Sequence, residues 1–227
     1  MALDADRGGG GGGHGGSGAS SQELGKAVAA PAATNAAPAA DDLQGLIASG
    51  YGKIDARKWA DAAEALEGAR KLAPSNEVVR FGLSTAYIKL NRFKDALAIL
   101  DGLLKDFPDN PSVKNNIAWI LAKSGDPAVR NLPKAIAYAQ EALLAAPRDY
   151  NVWGTLAEAY LAVGRPERAV RVAKAAWQLS LAAGEPDGKE FLDLYQRCRV
   201  AAGERDPGET GERGAAEDGR AGTKRAE

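Results

Sequence analysis

The chain has one cysteine and one histidine among its 227 residues. A lone Cys198 excludes an intramolecular disulfide framework and any CxxC zinc site. The histidine, His14, lies inside the glycine run Gly8–Gly16. A metal site or a histidine base would have to be assembled on that run, so no metal, no cofactor and no catalytic constellation is expected. Long hydrophobic runs are missing too. No apolar stretch approaches the roughly 18 residues that a membrane helix needs, so no integral membrane segment is expected. Nor does one sign of charge prevail. Lys and Arg number 29, Asp and Glu 30, and the net charge is −1. That balance leaves no electrostatic footprint for nucleic acid or an anionic membrane.

Large side chains are scarce at both ends. Residues 27–40 are nine alanines broken by Pro31 and Pro38, with little bulk to bury. The glycine run also fits GxGxxG at Gly10, Gly12 and Gly15, which carries no weight without a strand before it and a helix after it. Residues 1–40 are therefore expected to form a disordered arm. The last 26 residues hold 12 charged and 6 glycine residues and no large apolar one, which predicts a disordered tail over 202–227. The N-terminus shows no apolar segment after its charges, so a cytoplasmic location is expected. The Ala/Pro arm resembles a post-signal linker, and an upstream start would make the protein exported or periplasmic.

What remains, about 160 residues, suffices for one core, and it is repetitive. Trp59 and Phe93 are 34 apart, as are Ala62 and Ala96, Leu66 and Leu100, and Pro74 and Pro108. From Ala96 the series continues to Ala135, 39 on, and Ala169, 34 on; Pro108 to Pro147 is also 39. The period is thus 34 with five extra residues in one unit. A second register, Asp42, Asn76, Asn110 and Asp149, supplies residues suited to cap helix N-termini. Pro111 follows Asn110 at the first helical position, where its missing N–H costs nothing. Each unit reads as two helices. In the second, Leu83, Tyr87 and Leu90 share one face and Asn91 breaks the pattern; Phe93, Ala96, Leu97 and Leu100 then begin another helix. The recurring small residues Ala62, Ala96, Ala135 and Ala169 let two helices approach closely. No unit can bury its apolar face alone, so stability must come from stacking.

This spacing resembles the tetratricopeptide repeat (TPR), a bulky residue, Leu-Gly, Tyr, Gly, aromatic, Ala, aromatic or Leu, Ala and Pro over 34 residues. In the fourth unit Trp153, Leu156, Ala157, Tyr160, Gly164, Ala169, Ala173 and Ala176 stand at the family positions, with Pro166 where an aromatic is usual. The third unit reads Asn115-Asn116-Ile117-Ala118-Trp119-Ile120-Leu121-Ala122, then an insertion around 126–130. It looks like a bacterial subset in which NNxAWxLA precedes a longer inter-helix loop. The resemblance covers about residues 43–180. It implies an all-α fold, a right-handed superhelix (α-solenoid) of about four helix pairs over 41–201. The repeats would span about 43–76, 77–110, 111–149 and 150–183, with a capping helix over 187–201 that has Asp187 as N-cap and Phe191, Leu192, Leu194, Tyr195 and Cys198 on one face. Trp59, Trp153 and Tyr160 are expected in the core, Trp177 between the fourth repeat and the cap, and Cys198 in packing.

The resemblance also implies a non-catalytic scaffold or adaptor that takes a peptide or helix of a protein partner in a concave groove lined by the first helix of each pair. Family positions place there Gln44, Ile47, Tyr51, Ile54 and Asp55; Val78, Phe81, Thr85, Ile88 and Lys89; Ser112, Asn115, Trp119, Ala122 and Lys123; and Asn151, Gly154, Glu158, Leu161 and Ala162. Phe81 and Trp119 are the leading anchors, with Trp119 alternatively leaning on the 126–131 loop. The family's carboxylate clamp is absent: its places hold Ile47, Tyr51, Gly82, Ser112 and Asn116, or, one unit later, Phe81, Thr85, Asn116, Asn151 and Thr155. No chaperone C-terminal tail is therefore expected as ligand. The Asn ladder of glycosyltransferase repeats is missing as well, since only Asn116 fits it. The bacterial subset often accompanies exported or membrane-anchored proteins, so the alternative is an accessory or assembly subunit of an envelope complex. An RNA-binding helical repeat is a weaker alternative, opposed by the charge balance and the proline series.

Overall fold

A computed structural model describes residues 38–184 and 188–204, and helix is the regular structure throughout them. The helices are α1 (Pro38–Asp55), α2 (Trp59–Leu72), α3 (Glu77–Lys89), α4 (Phe93–Asp106), α5 (Pro111–Lys123), α6 (Leu132–Ala145), α7 (Tyr150–Ala162), α8 (Pro166–Ala182) and α9 (Lys189–Ala201). Three starts follow from side-chain chemistry. Asn76 accepts a bond from Val79 N–H, Asn110 from Ser112 and Val113 N–H, and Asp149 from Asn151 N–H, each satisfying amides the helix leaves orphaned. Asp42 departs from this pattern. It lies inside α1, which begins at Pro38, because proline suits a first helical turn and Ala39 and Ala40 continue it. The helix thus reaches into the segment expected to be a disordered arm. The rest of that arm, residues 1–37, and the tail from 205 on lie outside the described residues, as does Asp187. At α9 the N-cap position is held by Gly188 in the left-handed region (φ 49°), with no side-chain cap bond.

Odd- and even-numbered helices behave differently. Each of α1, α3, α5 and α7 pairs with the helix that follows it, and each touches the next odd-numbered helix along, up to α9; no even-numbered helix touches the next even-numbered one. A stack whose first helices meet and whose second helices splay must curve with the first helices inside. Two positions of the repeat register show how the hairpins close and stack. Ala62, Ala96, Ala135 and Ala169 are fully buried, where any longer side chain would push the paired helices apart. Three residues past the capping positions, Val79, Val113 and Val152 are fully buried, whereas the corresponding Gly45, in the leading repeat, has open space where a Cβ would be. The valine is present where a preceding repeat stands to cover it.

The insertion in the third unit is an ordered loop. Ser124 Oγ accepts from Asp126 N–H at 3.1 Å, Asp126 Oδ1 accepts from Ala128 N–H at 2.9 Å, and Val129 is buried in the core. Lys94 on α4 reaches Asp126 at 2.9 Å, tying the loop to the preceding repeat. Asn131 then caps α6 by accepting from Lys134 N–H. Trp59 and Trp153, expected in the core, are half-buried instead. Trp59 lies under Lys89, and Trp153 donates its indole N–H to the Pro147 carbonyl at 2.9 Å near the surface. Tyr160 is buried, and Trp177 stacks on Tyr195 at 5.8 Å between α8 and α9.

Candidate functional site: the inner face of the first helices

The inner face is built from residues that recur at fixed places on α1, α3, α5 and α7. Four of those expected to present themselves to a partner are instead packed away: Ile54, Phe81, Ile88 and Asn115 are at most 5% exposed. Ala122 and Gly154 are buried with them. Successive first helices touch along this line, so these side chains fill the seam between neighbours. Phe81, expected as a leading anchor, is a core residue.

Tyr51 shows the seam in detail. Its hydroxyl donates to the Val78 carbonyl of the next first helix at 2.9 Å, and its ring lies 3.0 Å from where a Cβ on Gly82 would sit. Burial, followed by the Glu77 carboxylate, pushes the Tyr51 phenol well up. Gly82 is therefore a receptor for the tyrosine ring.

What the seam leaves accessible is a band of half-buried and exposed side chains: Ile47, Val78, Thr85, Lys89, Asn151 and Leu161, with Trp119 and Lys123 at its middle and Gln44, Asp55, Ser112 and Ala162 at its edges. Thr85 Oγ1 donates back to the Phe81 carbonyl at 3.1 Å. Trp119 packs against the core cluster that includes Val129 of the 126–131 loop. Its ring meets Phe93 of the preceding repeat edge-on at 5.8 Å, so one face is supported and the side chain is held in place. Lys89 sits 5.6 Å over the Trp59 ring, and burial lowers its ammonium pKa, with Arg57 adding to the effect and Glu190 opposing it.

In the far half of the band, residues of α9 that the repeat register did not reveal join the expected ones. Glu158 accepts from Arg197 of α9 at 2.6 Å and faces Lys123 of α5 at 3.3 Å. A small cleft there is lined by Trp119, Gly154, Glu158, Glu190, Phe191 and Arg197. Phe191 is seated directly over Gly154, where a Cβ would come within 2.8 Å of its ring, and meets Tyr150 edge-on at 5.2 Å. Arg197 and Phe191 join the capping helix to α7, and Lys123 joins α5 to the same carboxylate. Among the described residues no group of three or more His, Cys, Asp or Glu could hold a metal ion.

Residues 53–120 match the tetratricopeptide repeat family, and the described residues share the fold of a TPR solenoid. Solved structures share that fold. A thermophilic TPR protein of Thermus thermophilus, TTC0263, superposes with a TM-score of 0.54 at 17% identity, over 71% of this chain and 92% of that one. A mutant of MamA gives 0.52 at 20% identity, over 71% and 88%. Pseudomonas aeruginosa pilF gives 0.50 at 17% identity, over 75% and 88%. No curated protein matches the sequence. No helix among the described residues is long and apolar enough to cross a membrane.

Proposed function

We propose that this protein is a non-catalytic scaffold that holds a segment of a protein partner along the inner face of its first helices. The observation that carries the reading is Trp119. It is a large aromatic, half-exposed on the inner face and buttressed by Phe93. Lys123 follows it one turn on, and Thr85 holds the same place in the preceding repeat. An aromatic anchored in this way gives contact area at small entropic cost, the property of residues that dominate binding energy. Ile47, Val78 and Leu161 extend the apolar contact towards both ends of the face. Asn151 offers a polar group to fix the register of the bound segment. Glu158 is committed to Arg197 and Lys123, so it serves the scaffold as structure; one acid already paired twice does not make a catalytic site.

Site-specific photo-crosslinking in the protein's own cells tests this reading. A photoreactive residue placed at Thr85, Trp119 or Asn151 should give adducts with a common partner. The same residue at Ala98, Ala137 or Lys174, exposed on second helices, should not. Adducts only from the second-helix positions would move the binding surface to the outer face.

A further inference from the structure

Helix α9 touches only α7 and α8 among the described helices, and no helix follows it within them. It thus hangs on a single repeat, whereas α3, α5 and α7 each have neighbours on both sides. Its apolar grip includes Phe191, Leu194 and Cys198, all buried, and Tyr195 stacked on Trp177 of α8. Its polar contacts with the first helices include one shared carboxylate. Glu158, whose side chain is 17% exposed, is held between Arg197 of α9 and Lys123 of α5. Arg197 and Lys123 are themselves 54% and 37% exposed, so each pair contributes modestly, but both meet on the same largely covered carboxylate. Phe191 fills a socket shaped for it by Gly154 and Tyr150. Together Phe191, Glu190 and Arg197 form one wall of the cleft against Trp119, and the charge of Glu190 reaches Lys89 on α3. The terminal helix is therefore part of the inner face, attached at its end.

We propose that α9 is a releasable wall of the binding face: the Glu158 bridge to Arg197 and Lys123 latches it, and its release opens the Tyr150–Gly154 socket to a partner helix that presents an aromatic, a leucine and an arginine in the spacing of Phe191, Leu194 and Arg197. The occupant is argued from the helix now in place, because the socket already fits a ring over a glycine floor and Glu158 already fits a guanidinium. The proposal rests on the reading of the inner face as the binding surface.

Cys198 supplies the reporter. It is the sole thiol of the chain and is fully buried on the inward side of α9, where burial and the nearby Glu158 push its pKa up to about 11, so it reacts when α9 lifts. In the full-length protein, the rate of labelling by a disulfide reagent at pH 8 should rise about two- to fivefold in Glu158→Gln and in Arg197→Gln. The double variant should be no faster than the faster single one, because both remove the same bridge. Raising NaCl from 0.05 to 0.5 M should speed wild type and leave the double variant unchanged. A fluorescent peptide of residues 188–203, with its cysteine replaced by serine, should bind the Arg197→Gln protein about two- to fivefold more tightly than wild type, and the substitution Phe191→Ala within the peptide should abolish that binding. Labelling rates equal to wild type would overturn the latch. So would faster labelling accompanied by a fall in the melting temperature of the whole helical signal, since α9 would then be inseparable from the repeats. A peptide that binds both proteins alike, or neither, would overturn the socket. These outcomes bear on α9 alone; the crosslinks from Thr85 and Trp119 decide the binding face separately.

Discussion

Two glycines near the end of α1, Gly50 and Gly52, separate helix propensity from helix packing. At Gly50 an added Cβ would lie 2.6 Å from Leu66 Cγ and 2.8 Å from its Cδ2. Those are the branch point and one arm of a side chain that is itself fully buried on α2, so it has little room to yield. At Gly52 the same addition meets nothing within 4 Å. Replacing either glycine by alanine favours the helix by roughly 0.8–1.0 kcal/mol, and that gain is common to both. Overfilling a packed contact costs about 1–3 kcal/mol, and only Gly50→Ala incurs it. Gly52→Ala should therefore stabilise the first hairpin by about 1 kcal/mol. Gly50→Ala should lie about 1–3 kcal/mol below Gly52→Ala. The comparison is made by urea unfolding followed by far-ultraviolet circular dichroism, with amide exchange over residues 42–72 to confirm that the change sits in that hairpin, because end repeats can open separately. Equal stabilisation by both substitutions would refute the close approach of α1 and α2 and, with it, the packing assigned to the first hairpin.

Further outcomes follow from the same packing. Phe81→Ala should destabilise the fold by about 3–5 kcal/mol, as a core truncation does; a variant that melts like wild type would return Phe81 to the surface. Leu100→Ala, at a fully buried position, should cost about 2–5 kcal/mol in the same unfolding assay. The Cys198 thiol has a folded pKa of about 11, above its ordinary value. The unfolded chain therefore releases the proton first as pH rises. The stabilising contribution is complete below about pH 8.5 and is lost progressively towards pH 11. Unfolding of wild type should weaken between about pH 8 and 10 by roughly 1 kcal/mol more than that of Cys198→Ala; parallel pH profiles would place the thiol in water.

The repeat architecture was legible because it is written in residues whose role is local or strictly periodic. Asn76, Asn110 and Asp149 cap helices by their own side chains. Ala62, Ala96, Ala135 and Ala169 mark the one place in each hairpin where bulk is forbidden. Asp42 kept the register but lost the cap, since nothing in the 34-residue period requires the leading helix to start where the others do. The inner face was legible in outline and not in depth. Its positions are defined by the side of the helix they occupy, and Ile54, Phe81, Ile88 and Asn115 do lie towards that side. How far each is covered depends on how closely successive first helices approach, and one unit's sequence does not state that distance. Tyr51 seated on Gly82 is the evidence for how close it is. The Lys123–Glu158–Arg197 bridge was hidden for a different reason. Its members come from three helices, one of them the cap, and no periodic pattern links Arg197 to Glu158.

The central claim is that the inner face, and Trp119 within it, holds the partner. The most direct test is the affinity of the crosslinked partner for purified wild type and Trp119→Ala, measured by titration calorimetry beside their melting curves. Trp119 is half-exposed and supported on one side, so its loss should weaken binding by at least roughly 1–2 kcal/mol, about tenfold, while the melting temperature stays within a few degrees of wild type. Unchanged affinity in a folded Trp119→Ala protein would contradict the account.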